Sequence, residues 1–428
     1  MKRNIFIPAL EEQQRIELET TRNAHERAFH GLLDVATLVE SGDFSFDNLL
    51  ARIRRELQKF SGNVDAIVAH WDFPTSVLVP ILCHEYGIPS PSLESVLKCE
   101  HKYWSRVEQQ KVIPDLVPRF ASVDPFTKNP LEQVDLAYPF WLKPVKAFSS
   151  QLGFRIDNAE QFHAAIEETR TRIHHLGDPF NEALAHVDLP PEIRRANGNT
   201  CIAEEIVSGI EGAPEGSIFR GEFRVHGVFD LPIDRQDDLY DRMEYPSSLP
   251  KAIQQRMIDA SERFLKHIGY DNGCFNVEFM WDEKADRLRL IEVNTRISQS
   301  HSEAFVMVDG MSNHEIAIDV ALGIQPSIPY RQGRFAVAAK CIIPHFEDGI
   351  VTRVPSQQEL GALTQRFPGT LVRLDVAPGI RLSELPNQDS FSYHIGTVCL
   401  GGETHRQVRE RYQACLEALH FEFDPVPQ

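Results

Sequence analysis

The stretch Leu290-Ile-Glu-Val-Asn-Thr-Arg-Ile-Ser-Gln-Ser-His301 begins as an apolar run and then turns polar. Its aliphatic residues are typical of a buried strand, whereas Glu292, Asn294 and Arg296 are polar at every second position. Side chains alternate between the two faces of a strand, so these three polar groups share one face. The stretch therefore predicts a core strand with one polar face that needs a partner.

A second strand precedes this one and predicts a hairpin. Asn276-Val-Glu-Phe-Met-Trp281 is joined to it by the polar turn 282–287, and a symmetric register places Glu278 opposite Glu292, although the sequence alone leaves the register open. Like charges directly opposite one another destabilise a sheet, and a divalent cation between them removes the repulsion. Two carboxylates and an amide oxygen suit Mg²⁺ or Mn²⁺ rather than zinc. An exposed strand face with a surface Glu/Arg pair explains the hairpin equally well.

Length and composition exclude several classes of protein. The 428 residues exceed one core and favour two or three domains, while 42% hydrophobic and 25% charged residues are typical of a globular protein. The net charge of −18 argues against nucleic acid or an anionic membrane as a partner. The sequence has no apolar run of membrane-spanning length and no secretory signal, so we expect a cytoplasmic protein. The seven scattered cysteines are expected to be free, mostly buried thiols.

Alternating strand and helix signals in the first hundred residues predict an open, mostly parallel α/β sheet. Residues 11–60 have a helical composition, 65–70 form a short buried strand, and Thr75 and Ser92 are candidate helix caps. Helices are also predicted over 160–176, 251–268, 312–322 and 403–419, with a hairpin around Gly221. The tail from Gly333 onward is strand-rich.

Two further stretches are suited to binding a nucleotide. In Lys143-Pro-Val-Lys-Ala-Phe-Ser-Ser-Gln-Leu-Gly153, a lysine ends a strand and a serine-containing loop follows, which suits a triphosphate. In Ala203-Glu-Glu-Ile-Val-Ser-Gly-Ile-Glu211, a strand edge and two carboxylates suit adenine and ribose. Taken separately, a solvated Lys-Pro turn and two solvated glutamates explain these stretches better.

Taken together and in this order, the motifs resemble the ATP-grasp superfamily. Glu292-Val-Asn-Thr-Arg-Ile297 is similar to the metal motif of its biotin carboxylase-like branch. The resemblance implies an α/β (α+β) protein with the ATP-grasp fold, a mobile lid and two flanking domains. The domains implied are 1–98 (N-terminal, α/β), 99–325 (ATP-grasp, with the lid at about 145–205) and 326–428 (C-terminal, strand-rich).

The resemblance also implies a role for each matching residue. Phosphate contacts are implied for Lys102, Lys143, Ser149 and Ser150. Adenine and ribose contacts are implied for Glu204, Glu205, Val207 and Glu211. Ligation of two Mg²⁺ ions, which Mn²⁺ can replace, is implied for Glu278, Glu292 and Asn294. Arg296 is implied to stabilise the transferring phosphoryl group. The implied reaction uses ATP to activate a small carboxylic acid as an acyl phosphate, which an amine then attacks.

One departure from the pattern narrows the expected reaction. Biotin carboxylase has a glutamate four residues after the motif arginine, whereas this chain has Ser300, which disfavours bicarbonate activation. We therefore expect a carboxylate–amine ligase acting on small molecules, and the resemblance implies a homodimer. A carboxylase and a nucleotide-binding regulator without turnover are the alternatives. His301 is a candidate proton acceptor, with a helix-capping turn as the equal alternative. Lys340 is a weaker catalytic candidate, because an ordinary exposed lysine is the better explanation. Asp72 follows a strand end at the predicted cleft, although an aromatic turn packing on the core is favoured there.

Overall fold

The computed structural model describes residues 2–40, 44–147, 152–231, 242–385 and 392–426, without the side chains of residues 39 and 40. The chain begins with a parallel three-stranded sheet in the order β2-β1-β3, formed by β1 (Arg3–Pro8), β2 (Arg27–Leu32) and β3 (Ala66–Ile67). The parallel sheet expected from the alternating pattern is therefore present. The prediction of helix throughout 11–60 is wrong over β2, because pairing with β1 overrides local helix propensity.

Five helices surround this first sheet and lead into the rest of the molecule. They are α1 (Glu12–Glu19), α2 (Phe46–Lys59), α3 (Thr75–Tyr86), α4 (Leu93–Glu100) and α5 (Lys102–Val112). Ser92 caps α4 as predicted, by accepting a hydrogen bond from the Ser95 amide. Thr75 is instead the first residue of α3, and its hydroxyl donates to the carbonyl of Trp71. Gly87 ends α3 in the left-handed conformation that glycine adopts at low cost.

An antiparallel four-stranded sheet follows in the order β4-β7-β5-β6. Its strands are β4 (Phe120–Val123), β5 (Phe140–Pro144), β6 (Phe154–Ile156) and β7 (Cys201–Glu205). Three helices connect β6 to β7: α6 (Ala159–Arg172), α7 (His174–Leu184) and α8 (Pro191–Arg195). The sheet and α6 share a small hydrophobic core that includes Phe140, Leu142 and Phe162.

An eight-stranded sheet, in the order β12-β11-β8-β9-β10-β13-β16-β15, runs through the second half of the chain. Its strands are β8 (Ile210–Phe219), β9 (Glu222–Leu231), β10 (Arg242–Tyr245), β11 (Gly273–Asp282), β12 (Arg287–Asn294), β13 (Val337–His345), β15 (Leu371–Leu374) and β16 (Tyr393–Gly402). The hairpin predicted around Gly221 joins β8 to β9. The sheet is continuous because β10 pairs with β13, which hydrogen-bonds the last hundred residues to the preceding region. The domain limits expected from the sequence stay a prediction.

The remaining elements cover the faces of this sheet. They are α9 (Lys251–His267), α10 (Ser302–Asp309), α11 (His314–Ala321), α12 (Gln357–Arg366), α13 (His405–Ala418) and a small sheet of β14 (Gly349–Arg353) with β17 (Glu422–Pro425). The largest hydrophobic core packs α9 against β8, β11 and β12 and extends to the N-terminal helices. All seven cysteines are buried free thiols, as predicted. Within the described ranges, no helix is long and apolar enough to span a bilayer.

Candidate functional site

The β11–β12 hairpin sets two carboxylates against each other. Glu278 pairs directly with Glu292, and Asn276 pairs with Asn294, so the symmetric register considered from the sequence is the one that forms. The register shifts by one residue just after Glu278, where Ile291 is the extra residue of a bulge in β12. The Asn294 side-chain amide donates to Glu278 Oε1 at 2.9 Å, which brings two of the three predicted metal ligands into contact.

The two facing carboxylates have opposite electrostatic environments. Burial and the nearby charges of Glu211 and Glu292 raise the pKa of Glu278 to about 8. Burial also disfavours the charge of Glu292, but Lys102, Lys143 and Lys146 together lower its pKa below the ordinary value. Glu292 therefore ionises readily, whereas Glu278 ionises only with difficulty. A divalent cation between the two carboxylates would stabilise both negative charges.

Lysines from two elements bracket the hairpin. Lys102, the first residue of α5, places Nζ 2.5 Å from Glu292 Oε1. Lys143, near the end of β5, places Nζ 2.8 Å from Glu204 Oε2. Two of the four predicted phosphate ligands therefore lie beside predicted site carboxylates. The other two, Ser149 and Ser150, lie outside the described residues.

Two cations at the site were missed by the sequence analysis. Lys146 is buried and ion-pairs with Glu100, which also accepts a 2.6 Å hydrogen bond from Ser76. Arg106 reaches Glu204 at 2.5 Å and also donates to the backbone carbonyls of β12. A signal for each was available, since Lys146 is three residues after Lys143 and Arg106 is four residues, one helical turn, after Lys102.

Arg296 is held by the N-terminal region. Its guanidinium binds both Asp72 oxygens, with Nε 2.7 Å from Oδ1 and Nη2 2.8 Å from Oδ2. This pair raises the pKa of Arg296, against the effect of burial, and lowers that of Asp72. Phe73 beside Asp72 is buried in the main core, so the turn after β3 both packs on the core and faces the site.

The predicted adenine-binding segment begins in the last residues of β7 and continues into the loop after it. Glu204 is buried between Arg106 and Lys143, which lower its pKa to about 2 despite the opposing effect of burial. Glu205 pairs with Arg289, and Val207 lies half-buried in the following loop. Glu211 on β8 pairs with Met280 of β11, and its negative charge helps to raise the pKa of Glu278. The nucleotide contacts expected of these four residues stay predictions.

His301 and Lys340 lie in different surroundings. His301 is buried, donates a 2.6 Å hydrogen bond from Nδ1 to Glu215 Oε2, and stacks on Phe229 with ring centroids 3.6 Å apart. His301 is the N-cap residue of α10, as the capping interpretation has it, but its side chain makes no capping hydrogen bond. Lys340 is half-buried on β13 near Asp375, and no contact recorded within the described ranges joins it to Glu278, Glu292 or Asn294.

The donors present fit a hard cation. In the part of the chain that the structure describes, no group of three or more histidine, cysteine or acidic side chains is arranged as a complete metal site. Glu278, Glu292 and Asn294 supply oxygen donors only, fewer than the six that Mg²⁺ takes. Such an incomplete oxygen set fits a metal ion that draws its other ligands from water and a nucleotide.

Comparison with protein families gives a match to the ATP-grasp domain over residues 136–303. This range contains Lys143, the hairpin and Arg296. Biotin carboxylase 1 of Bacillus subtilis (strain 168) is 31% identical over 182 residues, which cover 42% of this chain and 39% of that protein. The chain spans less than two thirds of the first three curated relatives that it matches, namely 65%, 39% and 10% of their lengths.

Solved structures match over almost the whole chain. L-amino acid ligase from Bacillus licheniformis has a TM-score of 0.70 at 16% identity, with 99% of each chain covered. The biotin carboxylase domain of Hydrogenobacter thermophilus 2-oxoglutarate carboxylase, solved with MgADP and bicarbonate, has a TM-score of 0.62 at 17% identity, covering 99% of this chain and 91% of that one. Residues 136–303 thus match an ATP-grasp domain that contains the β11–β12 hairpin, and the chain has the ATP-grasp fold over its length.

Proposed function

We propose that this protein is an ATP- and Mg²⁺-dependent ligase that joins a small carboxylic acid to an amine and releases ADP and phosphate. The observation that carries the proposal is the pairing of Glu278 with Glu292, next to Asn294 and surrounded by Lys102, Lys143 and Lys146. Facing carboxylates with lysines beside them suit a metal-bound triphosphate better than they suit an apolar core.

The first step is phosphoryl transfer. A carboxylate oxygen of the acid attacks the γ-phosphorus, the bond to the bridging oxygen breaks with its electron pair, and ADP and an acyl phosphate form. Bound magnesium would be held by Glu278, Glu292 and Asn294 and would neutralise charge on the phosphates. Lys102 and Lys143 would orient the phosphates, and Arg296, fixed by Asp72, would face the transferring phosphoryl group.

The second step forms the C–N bond. The amine attacks the acyl carbon, phosphate leaves with the electron pair of the C–O bond, and the proton that the nitrogen loses passes to the departing phosphate. His301 is a positioning residue in this proposal rather than a free base, because it is buried and bound to Glu215. The proposal also includes an adenine-binding slot formed by residues 204–207 and a contact between Glu211 and the ribose. It includes a site for two Mg²⁺ ions, which Mn²⁺ can replace, and a homodimer.

The similarity to an L-amino acid ligase supports amino acids as substrates, whereas the similarity to biotin carboxylase supports the alternative of bicarbonate activation. Ser300 replaces the glutamate that the carboxylase reaction needs, so we favour the ligase.

A coupled ADP-release assay tests the proposal. A matrix of carboxylic acids and amines, including all L-amino acids in both roles, should give ADP release that requires one acid and one amine. Mass measurement should then give a product mass equal to the two substrates minus water. ADP release driven by bicarbonate and biotin would replace the ligase with a carboxylase. Tight ATP binding without phosphate release across the matrix would instead indicate a regulator.

A further inference from the structure

A second polar group of residues lies outside the metal site, at the junction of α1, α10 and β15. We call it the Arg373 pocket; its charged members are Glu17, Glu303, Lys340 and Arg373. The C-terminal region contributes both cations, and the N-terminal helix α1 and the central helix α10 contribute one carboxylate each.

Arg373 is anchored from below by both carboxylates. Its Nη2 lies 2.9 Å from Glu17 Oε1 and 2.7 Å from Glu303 Oε1. The Glu303 side chain is only 8% exposed, whereas that of Arg373 is 34% exposed. Among the described residues, both of these contacts are made by Nη2. The N–H donors of Nε and Nη1 therefore remain available to another acceptor. A guanidinium fixed in this way is preorganised to bind a planar anion.

Lys340 adds a second cation on the same face of the sheet. Leu371, Cys399 and Lys340 form one row across β15, β16 and β13, and Arg373 follows Leu371 by two residues. This face packs against α10, which carries Glu303. Asp375 also lies near both cations; its burial raises its pKa, and Lys340 and Arg373 oppose that rise.

The Arg373 pocket is linked to the reacting centre by a short chain of contacts. Gln14, one helical turn before Glu17 on α1, donates a 2.5 Å hydrogen bond to Gln299. Gln299 in turn donates to the carbonyl of His70 at 2.8 Å. Gln299 is three residues after Arg296, and His70 is two residues before its partner Asp72. The pocket is therefore connected, through Gln14 on α1 and Gln299, to the segments that carry Arg296 and Asp72.

We propose that Arg373, assisted by Lys340, binds a carboxylate that the reaction does not consume, and that the amine substrate carries this carboxylate. The inference rests on the proposed ligase function. The acid substrate presents its own carboxylate to the γ-phosphate beside Arg296, so a second carboxylate site serves the other reactant. The amino group at the far end of that molecule then faces the acyl carbon. The amine substrate is thus an amino acid or a peptide with a free carboxyl end.

The test compares amino acids with their carboxamides, which keep the amine and lose the charge. In the wild-type protein we expect KM for the amine to be at least 10-fold lower for the amino acid than for its carboxamide. Arg373→Gln should raise KM for the amino acid by about 10- to 100-fold and leave KM for the carboxamide and for ATP nearly unchanged, so the preference disappears. Arg406→Gln, on the exposed face of α13, is the matched control and should keep the preference.

Calorimetric titration of the MgADP-loaded protein with the same amino acid and carboxamide pairs separates this inference from the ligase proposal. Carboxylate-dependent binding that Arg373→Gln removes supports the pocket even if turnover is absent. Equal KM values for the amino acid and its carboxamide, each used as the amine by the wild type, would overturn the inference while leaving a working ligase. An equal rise in KM for the amino acid and for its carboxamide in Arg373→Gln would also overturn it. A preference for a free carboxylate that is confined to the acid substrate would do the same.

Discussion

Replacing Glu278 by Gln should stabilise the metal-free protein at alkaline pH while abolishing its function. The carboxylate has an ordinary pKa near 4.5 when unfolded and a pKa raised to about 8 by burial and by Glu211 and Glu292 when folded. A raised carboxyl pKa means that the folded state binds the proton more tightly, so ionisation opposes folding as pH rises above 4.5, and the effect is complete above about 8. At ~1.4 kcal/mol per pH unit the ceiling is ~5 kcal/mol. Because the Asn294 amide and neighbouring groups share the charge, we expect ~1–2 kcal/mol.

Thermal unfolding of wild type and Glu278→Gln, in EDTA, at pH 6 and pH 9, measures this effect. The variant should gain a few degrees in Tm relative to wild type, and the gain should be larger at pH 9 than at pH 6. Glu222→Gln, at an exposed strand end, is the matched control and should show no such pH dependence. MgADP should raise the Tm of wild type and not that of Glu278→Gln. A variant that loses stability between pH 6 and pH 9 relative to wild type would refute the assignment of repulsion at this pair.

Three further substitutions test the site and its supports. Glu292→Gln should lower ADP release at least 1,000-fold with a native circular dichroism spectrum, because it removes a metal ligand; retained turnover would remove Glu292 from the metal site. Lys102→Met should raise KM for ATP at least 10-fold and raise the pKa of Glu292, whose hydrogen-bonded cation it deletes; an unchanged KM would exclude a phosphate contact. His301→Ala should cost ~2–4 kcal/mol in denaturant unfolding, since it removes one hydrogen-bond partner of the buried Glu215 and the imidazole ring that stacks on Phe229; a fully stable variant with a shifted pH–rate profile would instead favour a proton-transfer role.

The hairpin and its polar face could be predicted because they depend on local pattern. The alternation in 290–296 and the polar turn before it specify two strands, and the symmetric register brings Glu278 to Glu292 as the structure has it. Lys102 and Lys143 were found by motif order, and both lie against site carboxylates. These features involve short separations along the chain or a shared family pattern.

The supporting contacts could not be predicted, since they join residues far apart in sequence. Asp72 meets Arg296 across more than two hundred residues, and Arg106 reaches the carbonyls of β12 across a similar distance. The segment 27–32 became a strand because β1 lies beside it, which no local propensity indicates. The surroundings of Lys340 depended on how β13, β15 and β16 pair, and the sequence contains no turn signal that fixes this order.

The lysines at the site already have carboxylate partners: Lys102 holds Glu292, Lys143 holds Glu204 and Lys146 holds Glu100. Nucleotide binding at this site is then an exchange of anions, in which phosphates compete with the protein's own acids for the same ammonium groups. When Lys102 binds a phosphate instead of Glu292, the Glu292 carboxylate becomes available to bind a cation. The triphosphate and the metal ion should therefore bind cooperatively, each raising the affinity of the site for the other. Either one alone should bind weakly.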